Sequence, residues 1–361
     1  MGSRSVALTV AVAFGCAGAQ TADDPAAARP SETRYAVSVT DEAAFAADLR
    51  VPAPDRSNAL LLQPSFTYRS GAGWTVSSSL AGIAVSDGET HGQLRVREVW
   101  AGYSEGEFDF TLGRRLVRWG TGYAFTAAGV LDPPRVATDP SDRLGLNQGR
   151  DMAKVEWVHG AHDLTVAWST AGLSGRPTGM YDTTAFRYNV LVKGFDTSVI
   201  VAHDRRGSDF AGTTFTRVFG DAFEAHGEVA WRDGAALLAG GKYTTRAGIT
   251  AIAEFYTPPN TTYYRPAQMP AAVGRQHWTY AGVSKSRLRE LPGWKEWNLG
   301  ASLVMNLDDR SRVLIFDAGR RFGNRFYAYT RAQAPGGNRI RSQYGTIPYS
   351  GLVSAGLRFQ L

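Results

Sequence analysis

The stretch Phe223-Glu-Ala-His-Gly-Glu-Val-Ala-Trp-Arg232 decides the fold class of this chain. Every second residue from Phe223 onward is apolar or small, whereas the alternate positions include Glu224, His226 and Glu228. Side chains along a β-strand point alternately to the two faces of the sheet. The stretch therefore predicts a strand that separates an apolar environment from a polar one.

The same alternation recurs at 163–170, 186–193 and 297–306. A soluble β-sandwich also alternates, so periodicity alone does not choose between a sandwich and a membrane barrel. Extended over the whole chain, the pattern predicts eighteen strands, or sixteen as the alternative count, with no helical segment among them. An even number of antiparallel strands is what a bacterial outer-membrane barrel requires. The predicted strands lie near 35–50, 57–69, 73–86, 93–104, 107–115, 151–159, 162–170, 183–193, 195–204, 208–219, 222–232, 235–245, 247–257, 276–286, 296–306, 310–321, 324–333 and 349–361.

The lengths of the connections favour the membrane barrel. If the first strand runs outward, the three longest connections, 116–150, 258–275 and 334–348, all fall on the outer side. Short turns such as Gly160-Ala161 and Gly220-Asp221 then fall on the periplasmic side. Long outer loops and short inner turns are typical of transmembrane β-barrels.

The C-terminal segment also favours a barrel. From Tyr349 to Leu361 one face carries Val353, Leu357 and Phe359, so the chain ends inside an alternating strand that would close the barrel. This segment resembles the terminal strand that the outer-membrane assembly machinery recognises. That strand usually ends in Phe, whereas this chain ends in Leu361.

The N-terminal residues resemble a signal peptide. Arg4 precedes an apolar stretch, and small residues follow up to Ala19, after which we predict cleavage. Cys16, the single cysteine, would leave with the signal peptide. A lipoprotein hypothesis would instead keep Cys16 as an acylated first residue. The predicted organisation is a signal peptide at 1–19, a flexible segment at 20–33 and the outer-membrane β-barrel at 34–361.

Hydropathy and aromatic content are compatible with this all-β architecture. The mean hydropathy of −0.23 resembles that of a soluble protein, but a barrel strand alternates and so averages to an unremarkable value. The chain contains 9 Trp and 15 Tyr, many near predicted strand ends, which predicts aromatic girdles at the two membrane interfaces. Candidate girdle residues are Tyr35, Trp74, Trp100, Tyr103, Trp119, Trp157, Trp231, Tyr256, Trp278 and Trp297.

A family resemblance appears in one hairpin. The segment Leu94-Arg-Val-Arg-Glu-Val-Trp-Ala-Gly-Tyr103 is followed by Phe108-Asp-Phe-Thr-Leu-Gly-Arg-Arg-Leu-Val-Arg-Trp-Gly120. It resembles a hairpin shared by porin-like outer-membrane barrels of a poorly characterised group, and more distantly by alginate-export-type barrels. The resemblance covers residues 35 to 160 and implies the fold and an outer-membrane location, with transport implied by analogy.

Charged residues in and after this hairpin form the candidate site. Alternation places Arg115 toward the lumen, with Arg95 and Arg97 on the neighbouring strand. A following loop that folds inward opposite these arginines would narrow the pore and create a transverse field that selects solutes. In the alternative, the charges pair with one another and only hold the loop down. The pore-lining and constriction candidates are Arg95, Arg97, Arg115, Arg118, Asp132, Arg135, Asp139, Asp142 and Arg143.

The basic residues are mostly arginine. Lysine accounts for five of the 39 basic residues, which leaves 34 arginines. Arginine binds carboxylates and phosphates through a bidentate fork, so the excess predicts a lumen that favours anionic solutes. A GC-rich genome would produce the same excess without any function. The arginines are dispersed and form no patch, which argues against nucleic-acid binding.

Signals for catalysis are weak. The six histidines are spread over the chain, and neither His-x-His nor His-Glu-x-x-His spacing occurs. No Gly-x-Ser-x-Gly occurs either. The sequence therefore predicts no enzyme, no cofactor and no metal.

The function favoured by the sequence is passive passage of small solutes, because barrels of 16 to 18 strands typically leave a water-filled lumen. The predicted surroundings are outer-membrane lipid and lipopolysaccharide, with the assembly machinery as a partner through the C-terminal strand. A role as the barrel of a polysaccharide or lipid export system, and a purely structural role, remain as alternatives. Whether the barrel is a monomer or an oligomer is left open.

Overall fold

A computed structural model of the chain describes residues 31–49, 54–170, 182–205, 209–259, 277–286, 288, 294–339 and 342–361. The predicted signal peptide lies outside these residues. The strands are β1 Glu32–Ala47, β2 Arg56–Arg69, β3 Trp74–Ser86, β4 Thr90–Glu105, β5 Phe108–Arg115, β6 Arg150–His159, β7 His162–Thr170, β8 Thr183–Val192, β9 Phe195–Asp204, β10 Asp209–Phe219, β11 Phe223–Trp231, β12 Ala235–Thr244, β13 Ile249–Thr257, β14 Trp278–Ser286, β15 Trp297–Asn306, β16 Arg312–Phe322, β17 Phe326–Gly336 and β18 Gly351–Gln360.

The eighteen strands form one closed antiparallel barrel. Each strand pairs with its neighbours in the chain, and β1 pairs with both β2 and β18. Closure leaves no strand with an unpaired edge, which is the condition for a sheet to cross a membrane. The predicted fold class and strand count are confirmed. Nothing among the described residues is a helix long and apolar enough to cross a membrane.

Strand boundaries differ from the predicted ones by a few residues. β1 begins at Glu32, slightly before the predicted barrel boundary at position 34, because the backbone ladder continues past the apolar pattern to pair Glu32 with Arg69. In the same way β17 extends to Gly336, beyond the predicted end at position 333. Side-chain alternation marks the part of a strand that meets two environments, whereas hydrogen bonding between backbones sets its full length.

The two faces of the wall have opposite character, as β11 shows. Phe223, Val229 and Trp231 are 42%, 47% and 62% exposed on the outside. His226 and Glu228, at alternate positions, point inward and are buried. Large apolar side chains exposed on the outside and buried polar side chains inside are the reverse of a soluble protein. The wall is built to meet lipid outside and a polar lumen within.

The two rims differ as predicted. The start of β1 and the end of β18 lie at one rim, where Ser38 pairs with Gln360. Tight turns at the same rim contain Gly160 and Gly220, whose φ angles of 59° and 57° fall in the left-handed region that glycine adopts without strain. The connections after β5, β13 and β17, which are the three predicted long loops, leave from the opposite rim.

Four of the predicted girdle aromatics are instead inside the barrel. Trp119, Tyr256 and Trp278 are at most 6% exposed, and Trp100 lies on the lumen face of β4 beneath Arg115. The prediction was wrong for these residues because an aromatic side chain near a strand end packs equally well against an object inside the barrel. For other candidates the outward position is observed. Tyr35, Trp74 and Trp231 are all more than half exposed.

Candidate functional site

The connection between β5 and β6, residues 116–149, lies inside the barrel and is called the inner loop here. Trp119, Phe125 and Leu131 of this loop are almost fully buried in an apolar cluster with lumen-facing side chains of the wall. The ring centroids of Phe125 and Tyr256 are 5.2 Å apart. The inner loop and one part of the barrel wall therefore share an apolar core.

Glu228 of β11 holds the inner loop by accepting hydrogen bonds from its backbone. The carboxylate is fully buried and accepts from the N–H groups of Gly122 at 2.8 Å, Ala127 at 2.5 Å and Ala128 at 2.7 Å. The hydroxyl of Thr126 donates to it at 3.0 Å. A buried carboxylate is stable only when such donors replace water, so Glu228 and this part of the loop depend on each other.

Glu254 of β13 makes a second, similar site beside the first. It accepts from the N–H groups of Ala124 at 2.8 Å and Phe125 at 3.3 Å, and from that of Tyr123. His226 lies 2.9 Å away through its Nε2. Successive backbone N–H groups that converge on one anion form a nest. The two nests lie side by side along the inner loop, one around Glu228 and one around Glu254, and they fix the path of the loop across this side of the lumen.

Asp132 organises the inner loop from within. Its carboxylate accepts from the N–H of Trp119 at 2.6 Å and from the guanidinium of Arg135 at 3.1 Å. Arg135 also donates to the carbonyl oxygen of Gly120 at 3.0 Å. Burial raises the pKa of the Asp132 carboxyl above its ordinary value, and the Arg135 guanidinium opposes this rise. Asp132 and Arg135 are thus a pair internal to the loop.

The later part of the inner loop is tied by charges to another part of the wall. Asp139 lies 3.2 Å from Arg331 of β17. Arg143 pairs with Glu42 of β1, and its guanidinium lies 4.8 Å from the centroid of the Tyr329 ring. Because β1 and β17 lie away from β11 and β13 in the strand order, the inner loop crosses the lumen from one wall to another.

Further contacts attach the end of the inner loop to β2 and β4. Asp142 accepts from the N–H of Asn147 at 3.0 Å and lies 4.0 Å from Arg97. Arg97 donates to the carbonyl of Asn147 at 3.3 Å, and Gln63 donates to that of Leu144 at 2.8 Å. The loop is therefore tied to both walls along its length.

The remaining predicted site residues lie on the lumen side without meeting in one cluster. Arg95 donates to Gln93 on its own strand, and the guanidinium of Arg115 lies 4.3 Å above the ring of Trp100. Arg118 lines a cavity of about 270 Å³ with Arg135. The loop lies inside the barrel and its charges pair as described. That these residues form a field which selects solutes stays a prediction.

Several wall residues that hold the inner loop were not among the predicted site residues. They include Glu42, Gln63, Glu228, Glu254 and Arg331. Alternation already places Glu228 on the polar face of its strand, but its partners in the loop lie 100 or more positions away in the chain. No local pattern connects them, so the sequence shows that these side chains enter the lumen without showing what they bind.

Gly149, where the inner loop returns to the wall, leads to a first prediction. A Cβ atom at this position would lie 2.3 Å from the carbonyl carbon and 2.5 Å from the carbonyl oxygen of Arg115. Backbone atoms cannot move aside as a flexible side chain can. We expect Gly149→Ala to lower the free energy of unfolding by about 1–3 kcal/mol, measured by denaturant titration of the folded barrel.

The matched control for this prediction is Gly92→Ala on β4. A Cβ there would have no heavy atom within 4 Å. This second variant should unfold at the same denaturant concentration as the parent protein. Equal stability of Gly149→Ala and Gly92→Ala would show that the return of the inner loop is not closely packed.

Comparisons with known proteins support the architecture. No family model and no curated protein matches the sequence. Among solved structures, OccK5 (OpdH) of Pseudomonas aeruginosa matches with a TM-score of 0.62 at 9% identity, covering 91% of this chain and 97% of that chain. A multiply substituted variant of Rhodopseudomonas blastica porin matches with a TM-score of 0.47 at 12% identity, covering 91% and 100%. The likeness to OccK5 shows that the two chains share a fold.

Within the part of the chain that the structure describes, no group of three or more His, Cys, Asp or Glu side chains is placed to hold a metal ion. His226 contacts Glu254, and these two side chains belong to the set that holds the inner loop. The observed chemistry of the lumen is hydrogen bonding and ion pairing. The resemblance to alginate-export-type barrels stays a prediction.

Proposed function

We propose that this chain is a bacterial outer-membrane channel through which small solutes pass passively, and that the inner loop narrows its lumen. The observation that carries the proposal is a closed eighteen-strand wall, mostly apolar outside and polar inside, with a charged loop fixed across its interior. Barrels of 16–18 strands are wide enough to hold an aqueous path, and a loop across that path sets its width.

The outer surface supports the membrane location. Phe186, Val199 and Phe316 are each at least 45% exposed on the outside of separate strands, where only lipid would shield them from water. The predicted contacts with lipopolysaccharide and with the assembly machinery follow from this location and belong to the proposal.

Passive passage fits the way in which the inner loop is held. The loop is bound to the wall by carboxylates and guanidinium groups that are paired with each other, as in Arg143 with Glu42 and Arg331 with Asp139. Such a fixed network holds a constriction of constant width without a source of energy.

Electrical recording tests the proposal directly. We expect purified protein added to a planar lipid bilayer to produce stepwise, non-rectified increases in ion current. Liposomes containing the protein should swell in isotonic solutions of small solutes. The matched control is the same protein unfolded in denaturant before addition. Absence of both current and swelling would overturn the channel.

Export of a lipid or polysaccharide is the second candidate, favoured by one observation. The inner loop buries Trp119, Phe125 and Leu131 against the wall, so part of the lumen is filled with apolar side chains and closed to water. A barrel of an export system would be filled across its whole section and would conduct no ions until a partner acted on it. The same bilayer recording therefore separates the two candidates.

A further inference from the structure

Tyrosine side chains of β14 and β17 lie against the inner wall, over positions where the wall has glycine. A Cβ atom built at Gly282 would lie 2.6 Å from the hydroxyl of Tyr280, and one at Gly319 would lie 2.1 Å from the hydroxyl of Tyr327. Each ring thus occupies the space that a side chain at the glycine would need. Tyr280 is only 6% exposed, whereas Tyr327 is half-buried.

Two more tyrosines extend this aromatic surface. Tyr329 covers Gly356 in the same way, with its hydroxyl 2.5 Å from the position of a Cβ there. The rings of Tyr327 and Tyr329 are stacked with centroids 6.0 Å apart. Tyr123, which comes from the inner loop, has its ring centroid 5.5 Å from that of Tyr280. The wall and the loop therefore contribute rings to one place.

These four rings line a cavity of about 260 Å³ between the inner loop and the wall, called the tyrosine cavity here. Its lining also includes the hydroxyl and amide side chains of Ser284, Asn298 and Ser302, and the charged residues Arg143, Lys285, Asp317 and Arg331. Ligand pockets for drug-sized molecules range from roughly 300 to 1,000 Å³, so this cavity is sized for a smaller molecule. Aromatic faces combined with hydrogen-bonding groups of no net charge suit a ligand with both C–H faces and hydroxyls.

The charges around the tyrosine cavity do not favour anions. Arg331 is held by Asp317, with Nε 2.8 Å from the carboxylate, and also contacts Asp139. Arg143 is paired with Glu42. With Lys285, which also lines the cavity, three carboxylates stand against three cationic groups, so these charges sum to zero and give an anionic solute no net attraction.

We propose that the tyrosine cavity binds neutral, polyhydroxylated solutes the size of a monosaccharide as they pass through the barrel. This inference rests on the proposed channel function and names its solute class. It replaces the anionic preference that the arginine excess suggested with a neutral one. In the competing explanation the rings only stabilise the sheet by covering its glycines.

Glucose and gluconate are suitable probes because they are of similar size and differ in charge. We expect glucose to reduce the ion current through the channel in a saturable way, and gluconate to bind more weakly. Tyr327→Ala should weaken the glucose block by roughly two- to tenfold, the range expected for one lost aromatic contact, while ion current persists. Tyr327→Phe should retain the block because it keeps the ring.

Two further variants separate binding from stabilisation of the sheet. Tyr123→Ala removes a ring that belongs to the inner loop and is not part of the barrel wall. This variant should weaken the glucose block to a similar extent. Tyr243→Ala, on the outward face of β12, should leave the block unchanged.

The outcomes distinguish this inference from the function on which it rests. No ion current from the parent protein would overturn the channel and the assignment together. Current that glucose does not reduce, or that gluconate reduces at lower concentration than glucose, would overturn the solute class and leave the channel standing. A block unaffected by both Tyr327→Ala and Tyr123→Ala would overturn the tyrosine cavity as its site.

Discussion

Glu228→Ala releases the inner loop and raises the ion conductance of the barrel. The substitution removes the acceptor for three backbone N–H groups, those of Gly122, Ala127 and Ala128, in a site without access to water. Removing one partner from a buried charged network typically costs about 3–5 kcal/mol. We expect the loop to leave the wall, so that single-channel conductance increases and trypsin cleaves the folded protein within the loop, for instance after Arg135.

Glu224→Ala is the matched control. Glu224 lies on the same face of β11, is half-buried and pairs with Lys242 at 3.1 Å, away from the backbone of the inner loop. Conductance and resistance to trypsin should stay at the parental level in this variant. If both glutamate variants behaved alike, the buried carboxylate would not be what holds the loop.

A disulfide should reverse the effect of Glu228→Ala. A Cβ at Gly212 of β10 would lie 3.4 Å from that of Ala128, close to the separation found across disulfides, with a small shift of the Phe210 ring. We expect the Ala128→Cys, Gly212→Cys pair to restore low conductance to Glu228→Ala when oxidised and to lose it on reduction. Failure to fold is then distinguishable from release of the loop, because a misfolded barrel would not recover on oxidation.

The barrel itself could be predicted because its information is local. In a strand such as β11, the alternation of nine residues is enough to identify the face toward the lumen and the face toward lipid, since each side chain meets one or the other. Strand count, the long-loop rim and the closing strand follow once every segment is assigned in this way. The ends of the strands cannot be predicted in this way, because backbone pairing continues where the side chains no longer alternate between apolar and polar.

One irregularity in β4 shows where local patterns stop. The register between β3 and β4 shifts at Ser79/Leu80, which makes Arg97 an extra residue in β4. Arg95 lies on the lumen side before the shift, and Trp100 faces the lumen after it. Strict alternation carried through the bulge therefore gives an outward position to a residue that turns inward.

Only part of the candidate site could be predicted from the sequence, for a different reason. The charges of the inner loop could be recognised in sequence, because Asp139, Asp142 and Arg143 are concentrated in one long connection. Their partners on the wall could not, because a side chain that faces the lumen is compatible with any object inside it. Glu42 and Arg143 are 101 positions apart, and only the path of the folded loop brings them together.

Val199→Arg should destabilise the barrel strongly in a lipid bilayer. The substitution tests which face of the wall is outside, at the middle of a strand. Val199 is 53% exposed on the outward face of β9. Phe195 and His203 lie on the same face, four residues before it and four residues after it. An arginine at the midplane of a barrel's lipid face costs about 2–4 kcal/mol, since its charge leaves water for hydrocarbon. The measurement is reversible denaturant unfolding of the protein in phospholipid vesicles.

Thr216→Arg on the next strand is the control that gives this measurement its meaning. Thr216 faces the lumen beside Asp196, so an arginine there would have both water and a carboxylate partner. We expect its unfolding free energy to stay within about 0.5 kcal/mol of the parent, as for most surface substitutions. A cost that is equal at both positions would mean that lumen and lipid face are not different solvents, and the channel would then lose its physical basis. A large cost at Val199 alone requires lipid around the barrel, because in water an exposed valine on a sheet surface accepts arginine readily.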